Sequence, residues 1–70
     1  MNGVKFVRER RLMTQEELAA ASGVGVATIS RLETGRVKPS IKTIRSVAKS
    51  LNMAPEDLYE LLQPRQGRLL

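Results

Sequence analysis

The segment from Thr14 to Gly35, TQEELAAASGVGVATISRLETG, decides the fold of this chain. Its first half predicts a short helix, because Thr14 and Glu17 have the T-x-x-E spacing of a capping box. In such a box, each side chain bonds to the backbone N–H of the other residue. Gly23 is suited to end this helix, since glycine adopts the left-handed conformation without steric cost.

The second half predicts another short helix over about Val26–Thr34, with Gly25 as its N-cap. Ile29 and Leu32 form its buried stripe, and Gly35 ends it. Two helices joined this tightly and set at an angle form the motif with which a small domain presents a helix to the DNA major groove. The segment therefore predicts a helix–turn–helix.

Three more helices are expected around this segment, and no strand pattern competes with them. The first covers about residues 3–12, and the fourth extends from an N-cap at Ser40 to about Leu51, with its apolar residues at helical spacing. The fifth is Pro55–Leu62, since proline suits a first helical turn. These patterns predict an all-α fold of five short helices. The domain is expected over residues 1–62, and a C-terminal tail over residues 63–70.

Composition excludes several kinds of chemistry. The 70 residues contain no cysteine and no histidine, so thiolate and imidazole metal ligands, cysteine nucleophiles and histidine bases are excluded. The carboxylates lie mainly at predicted helix starts, where the helix dipole accounts for them. No apolar run approaches the ~20 residues of a membrane span, and the N-terminus lacks the apolar core of a signal peptide. We expect a cytoplasmic protein with no enzymatic activity, metal, cofactor or membrane partner.

The charge is unevenly distributed along the chain. Twelve basic and seven acidic residues give a net charge of +5, and no acidic residue lies between Glu33 and Glu56. That interval contains five cations: Arg36, Lys38, Lys42, Arg45 and Lys49. A solvated cationic face is the simpler interpretation of such a run. Next to a helix–turn–helix, a surface that faces phosphates is favoured instead.

Seven sequence elements occur in an order and spacing typical of one family: Arg8, TQEELA, Gly23-Val24, TISRLE-x-G, Pro39-Ser40, AKSLNM and DLYEL. They resemble the lambda repressor/Cro-like, or xenobiotic-response-element, helix–turn–helix family of bacterial and phage regulators. The similarity extends from Val4 to about Leu62. It implies a sequence-specific regulator that binds double-stranded DNA at the nucleoid. Repression is favoured over activation, because occluding an operator needs no second surface.

The resemblance implies that the third helix reads base edges through four side chains: Val26, Ala27, Ser30 and Arg31. Arg31 is suited to bind guanine O6 and N7 with both arms of its guanidinium. The alternative for Arg31 is a solvated surface arginine. Val26 and Ala27 cannot hydrogen-bond to a base, although either fits against a thymine methyl group. The operator sequence is therefore not predictable.

Phosphate contacts are implied for six side chains around the motif: Gln15, Thr28, Thr34, Arg36, Lys38 and Ser40. Such contacts position a protein on the duplex without specifying sequence. The alternative for Gln15 is an ordinary surface residue in the first turn of its helix.

The resemblance also implies an ion pair between Arg8 and Glu33, which would fix the third helix against the first. Two residues depart from the family pattern. Leu12 replaces a glycine that often ends the first helix, and Ala54 replaces a Ser or Thr cap before the fifth helix.

Members of the family bind DNA as twofold dimers, with recognition helices about 34–36 Å apart. The candidate dimer residues are C-terminal: Leu58, Tyr59, Leu62, Leu69 and Leu70. The alternative for Leu58 and Leu62 is a place in the monomer core, and for Leu58 this alternative is preferred. A protein-interaction module, such as an antitoxin or accessory subunit with the same fold, is the rival function.

Overall fold

Five helices follow one another in the computed structural model, which describes residues 3–63. They are α1 (Gly3–Arg10), α2 (Gln15–Ser22), α3 (Val26–Thr34), α4 (Ile41–Ser50) and α5 (Pro55–Leu62). No strand is present in this part of the chain. The predicted all-α fold of five short helices is confirmed. None of these helices is long and apolar enough to cross a lipid bilayer.

Side-chain caps start two of the helices at the expected positions. The Thr14 hydroxyl accepts a hydrogen bond from the N–H of Glu17 at 3.0 Å, and the Glu17 carboxylate accepts one from the N–H of Thr14 at 2.8 Å. The Ser40 hydroxyl accepts a hydrogen bond from the N–H of Thr43 at 3.2 Å. Ala54 leaves α5 without a side-chain cap, as its identity predicts.

Helices α1 to α4 are each followed by one residue with positive φ: Leu12 (57°), Gly23 (74°), Gly35 (74°) and Asn52 (57°). After each of these residues, the next N–H donates to the carbonyl five positions earlier, at 3.0–3.2 Å. This 6→1 bond marks the Schellman motif, which satisfies carbonyls that the helix leaves free. The Schellman motif therefore ends four helices, with three different residue types at the left-handed position.

The predicted end of α1 at Leu12 is wrong, since α1 ends at Arg10. Leu12 has a φ of 57°, which no helical residue adopts. Its N–H donates to the carbonyl of Glu9 at 2.9 Å, and the N–H of Met13 donates to the carbonyl of Arg8 at 3.2 Å. Leucine here performs the role usually taken by glycine.

The core lies where the apolar faces of all five helices meet. α2 packs against α3 and α4, while α5 contacts both α1 and α4. The largest fully buried side chains are Val4, Leu18, Ile29, Leu32, Val47, Leu51 and Leu58. Because α3 contributes two of them, its orientation is fixed by the same core that holds the domain together.

Candidate nucleic-acid interface

Helix α3 has one buried face and one exposed face. Ile29 and Leu32 are at most 1% exposed. Val26, Ala27 and Arg31 are exposed, whereas Ser30 is half-buried. The predicted base-reading residues therefore lie in the first two turns of α3, and three of the four are open to solvent.

The connector between α3 and α4, residues 35–40, presents the predicted cations beside this helix. Arg36 and Lys38 are exposed, and within residues 3–63 neither forms a salt bridge. At the end of the connector, the Ser40 hydroxyl also donates to the hydroxyl of Thr43 at 3.1 Å. Two uncompensated cations next to an exposed helix form a surface of positive potential.

Thr34 and Thr28, the other two hydroxyl residues predicted to contact phosphates, differ in exposure. The Thr34 hydroxyl is exposed and lies 3.2 Å from the carbonyl oxygens of Ser30 and Arg31, to which it donates. Its proton is therefore used within α3, and only its lone pairs face solvent. Thr28 is half-buried in the first turn of α3.

A buried network fixes α3 to the two helices before it. The Nε of Arg8 donates to Glu33 Oε2 at 2.5 Å, and its Nη2 donates to Glu33 Oε1 at 3.1 Å. Arg8 and Glu33 are 7% and 4% exposed. The ion pair implied by the resemblance is thus present, and it is bidentate and largely shielded from water. The Nη1 of Arg8 also donates to the carbonyl of Met13 at 2.7 Å.

Gln15 joins the same network, a contact that the sequence does not predict. Its Nε2 donates to Glu33 Oε1 at 3.0 Å. An amide nitrogen carries two hydrogens, so one remains available after this bond. Gln15 is half-buried at the start of α2 and is held in place by the carboxylate of α3. The two residues are 18 positions apart, so no local pattern could reveal the contact.

The network keeps Glu33 charged. Burial alone would raise the pKa of Glu33, but the hydrogen bonds from Arg8 and Gln15 and the charge of Arg8 outweigh burial and lower it. The hydrogen bond to Glu33 raises the pKa of Arg8, although burial opposes this change. Both partners are therefore ionised at neutral pH.

The predicted dimer residues fall into three groups. Leu58 is 0% exposed and belongs to the core, so its inclusion in a dimer surface is wrong. Leu62 is half-buried against the core, whereas Tyr59 is 54% exposed. Leu69 and Leu70 lie outside the described residues.

No three acidic side chains within residues 3–63 come close enough together to hold a metal ion.

Comparison with known proteins places this geometry in a family. A family model described as helix-turn-helix matches residues 4–58. An uncharacterized HTH-type transcriptional regulator of Methanocaldococcus jannaschii is 36% identical over 58 residues, which cover 83% of this chain and 88% of that protein. Another, from Archaeoglobus fulgidus, is 41% identical over 56 residues, covering 80% of this chain and 79% of the relative.

A longer relative has a more specific name. The HTH-type transcriptional repressor RghR of Bacillus subtilis is 41% identical over 56 residues, which are 79% of this chain and 42% of that protein. No solved structure matches the chain. The matched family model covers the chain from α1 to the first half of α5, including the buried network and the exposed face of α3. The chain therefore belongs to the lambda repressor/Cro-like helix-turn-helix family of DNA-binding transcriptional regulators.

Proposed function

We propose that this protein is a sequence-specific transcriptional repressor that binds double-stranded DNA as a homodimer, with α3 in the major groove. The exposed face of α3 carries the proposal, because a buried network holds it against the rest of the domain. A recognition surface on a rigid helix loses little freedom on binding. The protein would act at the nucleoid in the cytoplasm, without a catalytic step.

In this proposal the side chains divide by role. Arg31 binds a guanine edge, while Val26 and Ala27 pack against thymine methyl groups or against base-pair steps whose shape depends on the DNA sequence. Ser30 contributes to base readout from its half-buried position. The amide nitrogen of Gln15, at the start of α2, donates its second hydrogen to a phosphate oxygen of the DNA.

The cationic connector supplies the remaining backbone contacts. Arg36 and Lys38 would neutralise phosphates, and Thr28, Thr34 and Ser40 would add neutral contacts at either end of α3 and the connector. Repression is favoured because a domain that covers an operator blocks access without further machinery. The name of RghR, a repressor, is consistent with this assignment.

Selection of bound duplexes from a random pool tests the proposal. The full chain is incubated with the pool at low and at moderate salt, and the bound duplexes are sequenced after several rounds. A palindromic motif with half-sites one helical turn apart is expected at both salt concentrations. Binding that depends steeply on salt but enriches no motif would overturn sequence-specific recognition. Absence of DNA binding with tight capture of a protein would favour the rival interaction module.

A further inference from the structure

An apolar surface between α4 and α5 is open to solvent. Ile41 and Tyr59 are 71% and 54% exposed, and both line an open depression whose floor includes Ile44. A second depression shares Ile44 and Tyr59 and continues this surface to Val37. We call the two adjoining depressions the α4–α5 groove. Exposed apolar side chains that cluster in this way mark an interaction surface more often than scattered ones do.

The first depression has an acidic wall. Three carboxylates of α5 line it: Glu56, Asp57 and Glu60. Within residues 3–63, none of the three forms a salt bridge. Arg45 is the single cation among the described residues that line this depression, and it belongs to α4, on the other side. An occupant of the groove should therefore combine apolar side chains with positive charge directed towards α5.

The chain leaves α5 at the edge of the groove. Gln63, which follows the last residue of α5, lines the second depression together with Tyr59 and Leu62. Its φ of −73° and ψ of 146° are extended, as expected for a residue that precedes a proline. Pro64 cannot continue the helix. The chain therefore departs from the axis of α5 beside the apolar surface.

The segment that follows, PRQGRLL from Pro64 to Leu70, has the composition that the groove requires. It contains two arginines, two leucines and no acidic residue. Its 7 residues reach at most about 23–25 Å, whereas the 8 residues of α5 extend about 12 Å. The segment is therefore long enough to run back along α5 as far as Pro55. Because Arg36 and Lys38 line the second depression, positive charge is favoured only in the first.

We propose that the segment Pro64–Leu70 docks into the α4–α5 groove of its own chain. Its leucines cover the apolar side chains around Tyr59, and its arginines face the carboxylates of α5. Connection within one chain favours this occupant, because a short tether presents the segment to the groove at an effective concentration of about millimolar. Leu69 and Leu70 then contact their own domain instead of a dimer partner. The docked segment closes the groove to other chains.

The fluorescence of Tyr59 tests the docking, because Tyr59 is the only tyrosine in a chain without tryptophan. Acrylamide, an uncharged quencher, is titrated into the full chain and into the variant Leu69→Ser/Leu70→Ser. The quenching constant should be about twofold higher in the variant, because its tail no longer covers a side chain that is 54% exposed on the domain. Neither constant should change over a wide range of protein concentration, since the contact is within one chain.

Charge reversal tests the pairing of the arginines with α5. Arg65→Glu/Arg68→Glu and Glu56→Lys/Glu60→Lys should each raise the quenching constant towards that of the leucine variant, because like charges then meet. Combining the four substitutions should restore the wild-type constant, since opposite charges face each other again. Restoration also shows that the substituted α5 is folded.

Phe6→Ser is the matched apolar control. Phe6 is 61% exposed on α1, beneath the guanidinium of Arg10, and it lines neither depression. Its replacement should leave the quenching of Tyr59 unchanged. Equal quenching of the wild type and the leucine variant would overturn the inference. So would shielding of Tyr59 that is lost on dilution, because the occupant would then be a second copy. The test contains no DNA, so a shielded Tyr59 in a protein that selects no motif refutes the proposed function alone.

Discussion

Glu33 lies on α3, the helix proposed to read DNA, but its side chain contacts α1 and α2. Its Oε2 accepts from the Nε of Arg8, and its Oε1 accepts from both Arg8 and Gln15. Replacing a buried ion pair with apolar groups is often neutral for stability, so the pair is weak evidence of a stabilising role. Removing one partner is different, because the other charge is then buried without compensation.

Glu33→Ala should therefore lower the free energy of unfolding by about 3–5 kcal/mol. It leaves the guanidinium of Arg8 desolvated and frees the amide of Gln15. DNA affinity should fall as well, because α3 loses its ion pair with α1 and its hydrogen bond to α2, and only apolar packing then orients it. Chemical denaturation measures the first effect, and titration of a selected duplex measures the second. The double variant Arg8→Met/Glu33→Leu is the control, which should recover much of the stability. Unchanged stability with lost binding would show that Glu33 acts at the DNA.

The lowered pKa of Glu33 predicts a dependence of stability on pH. Because this pKa is lower in the folded state than in the unfolded state, the unfolded state binds more protons at acidic pH. The stabilisation is complete above the ordinary glutamate pKa of about 4.3 and is lost as pH falls through the folded value. Denaturation from neutral pH down to about pH 3 should show this loss. In Glu33→Gln the decline should be shallower, and an equal slope in both proteins would contradict the assignment.

The ends of the helices show what local sequence can specify. Gly23 and Gly35 have the left-handed conformation that their residue type favours, and the capping box of Thr14 and Glu17 is formed. Such features depend on a few neighbouring residues, so the sequence predicts them. Leu12 has the same left-handed backbone conformation, although its side chain makes that conformation unfavourable. The surrounding structure imposes it, since Arg8 binds the carbonyl of Met13 one residue further on.

Leu12→Gly should stabilise the protein. The left-handed conformation costs a non-glycine residue about 1–2 kcal/mol, and the side chain of Leu12 is 90% exposed, so little packing is lost. Glycine also gains unfolded-state entropy, which offsets about 0.5–1 kcal/mol of that relief. We expect a net gain of up to about 1 kcal/mol, measured by thermal or chemical denaturation.

Asn52→Gly is the matched comparison, because Asn52 has the same φ of 57°. Asparagine tolerates this conformation better than leucine does, so the gain there should be smaller or absent. Equal gains in stability from the two substitutions would show that backbone strain at Leu12 does not cause the gain from Leu12→Gly.

For the domain as a whole, local sequence patterns predict the helices better than they predict the contacts between helices. The fold class and the bounds of α3 follow from hydrophobic spacing and from glycine positions, which are local. The hydrogen bond from Gln15 to Glu33 joins residues 18 positions apart in the sequence. Arg11 donates to the carbonyl of Leu51 at 2.8 Å, and these two residues are 40 positions apart. The clustering of Ile41 with Tyr59 also arises only when α4 packs on α5. Contacts of this kind depend on tertiary packing that periodicity does not encode.

The proposed division between base readout and phosphate contact is testable with two variants. Arg31→Ala should cost about 1–3 kcal/mol per half-site on a selected duplex and relax preference at one base pair, because the guanidinium alone reads that position. Lys38→Ala should weaken selected and unrelated duplexes about equally and reduce the salt slope by about one per protomer, since it removes a phosphate contact.

Lys49→Ala is the control for charge in this comparison. Lys49 is an exposed cation in the last turn of α4, roughly 13 Å along the helix from Ser40 at the rise of an α-helix. Loss of a charge there should change binding less than its loss from the connector, because the effect of an exposed charge is screened over about 8–10 Å. Titrations at several salt concentrations, on a selected and a scrambled duplex, measure all three variants. If Arg31→Ala weakened both duplexes equally, Arg31 would be a phosphate contact, and base recognition would have to come from the apolar residues of α3 and from DNA shape.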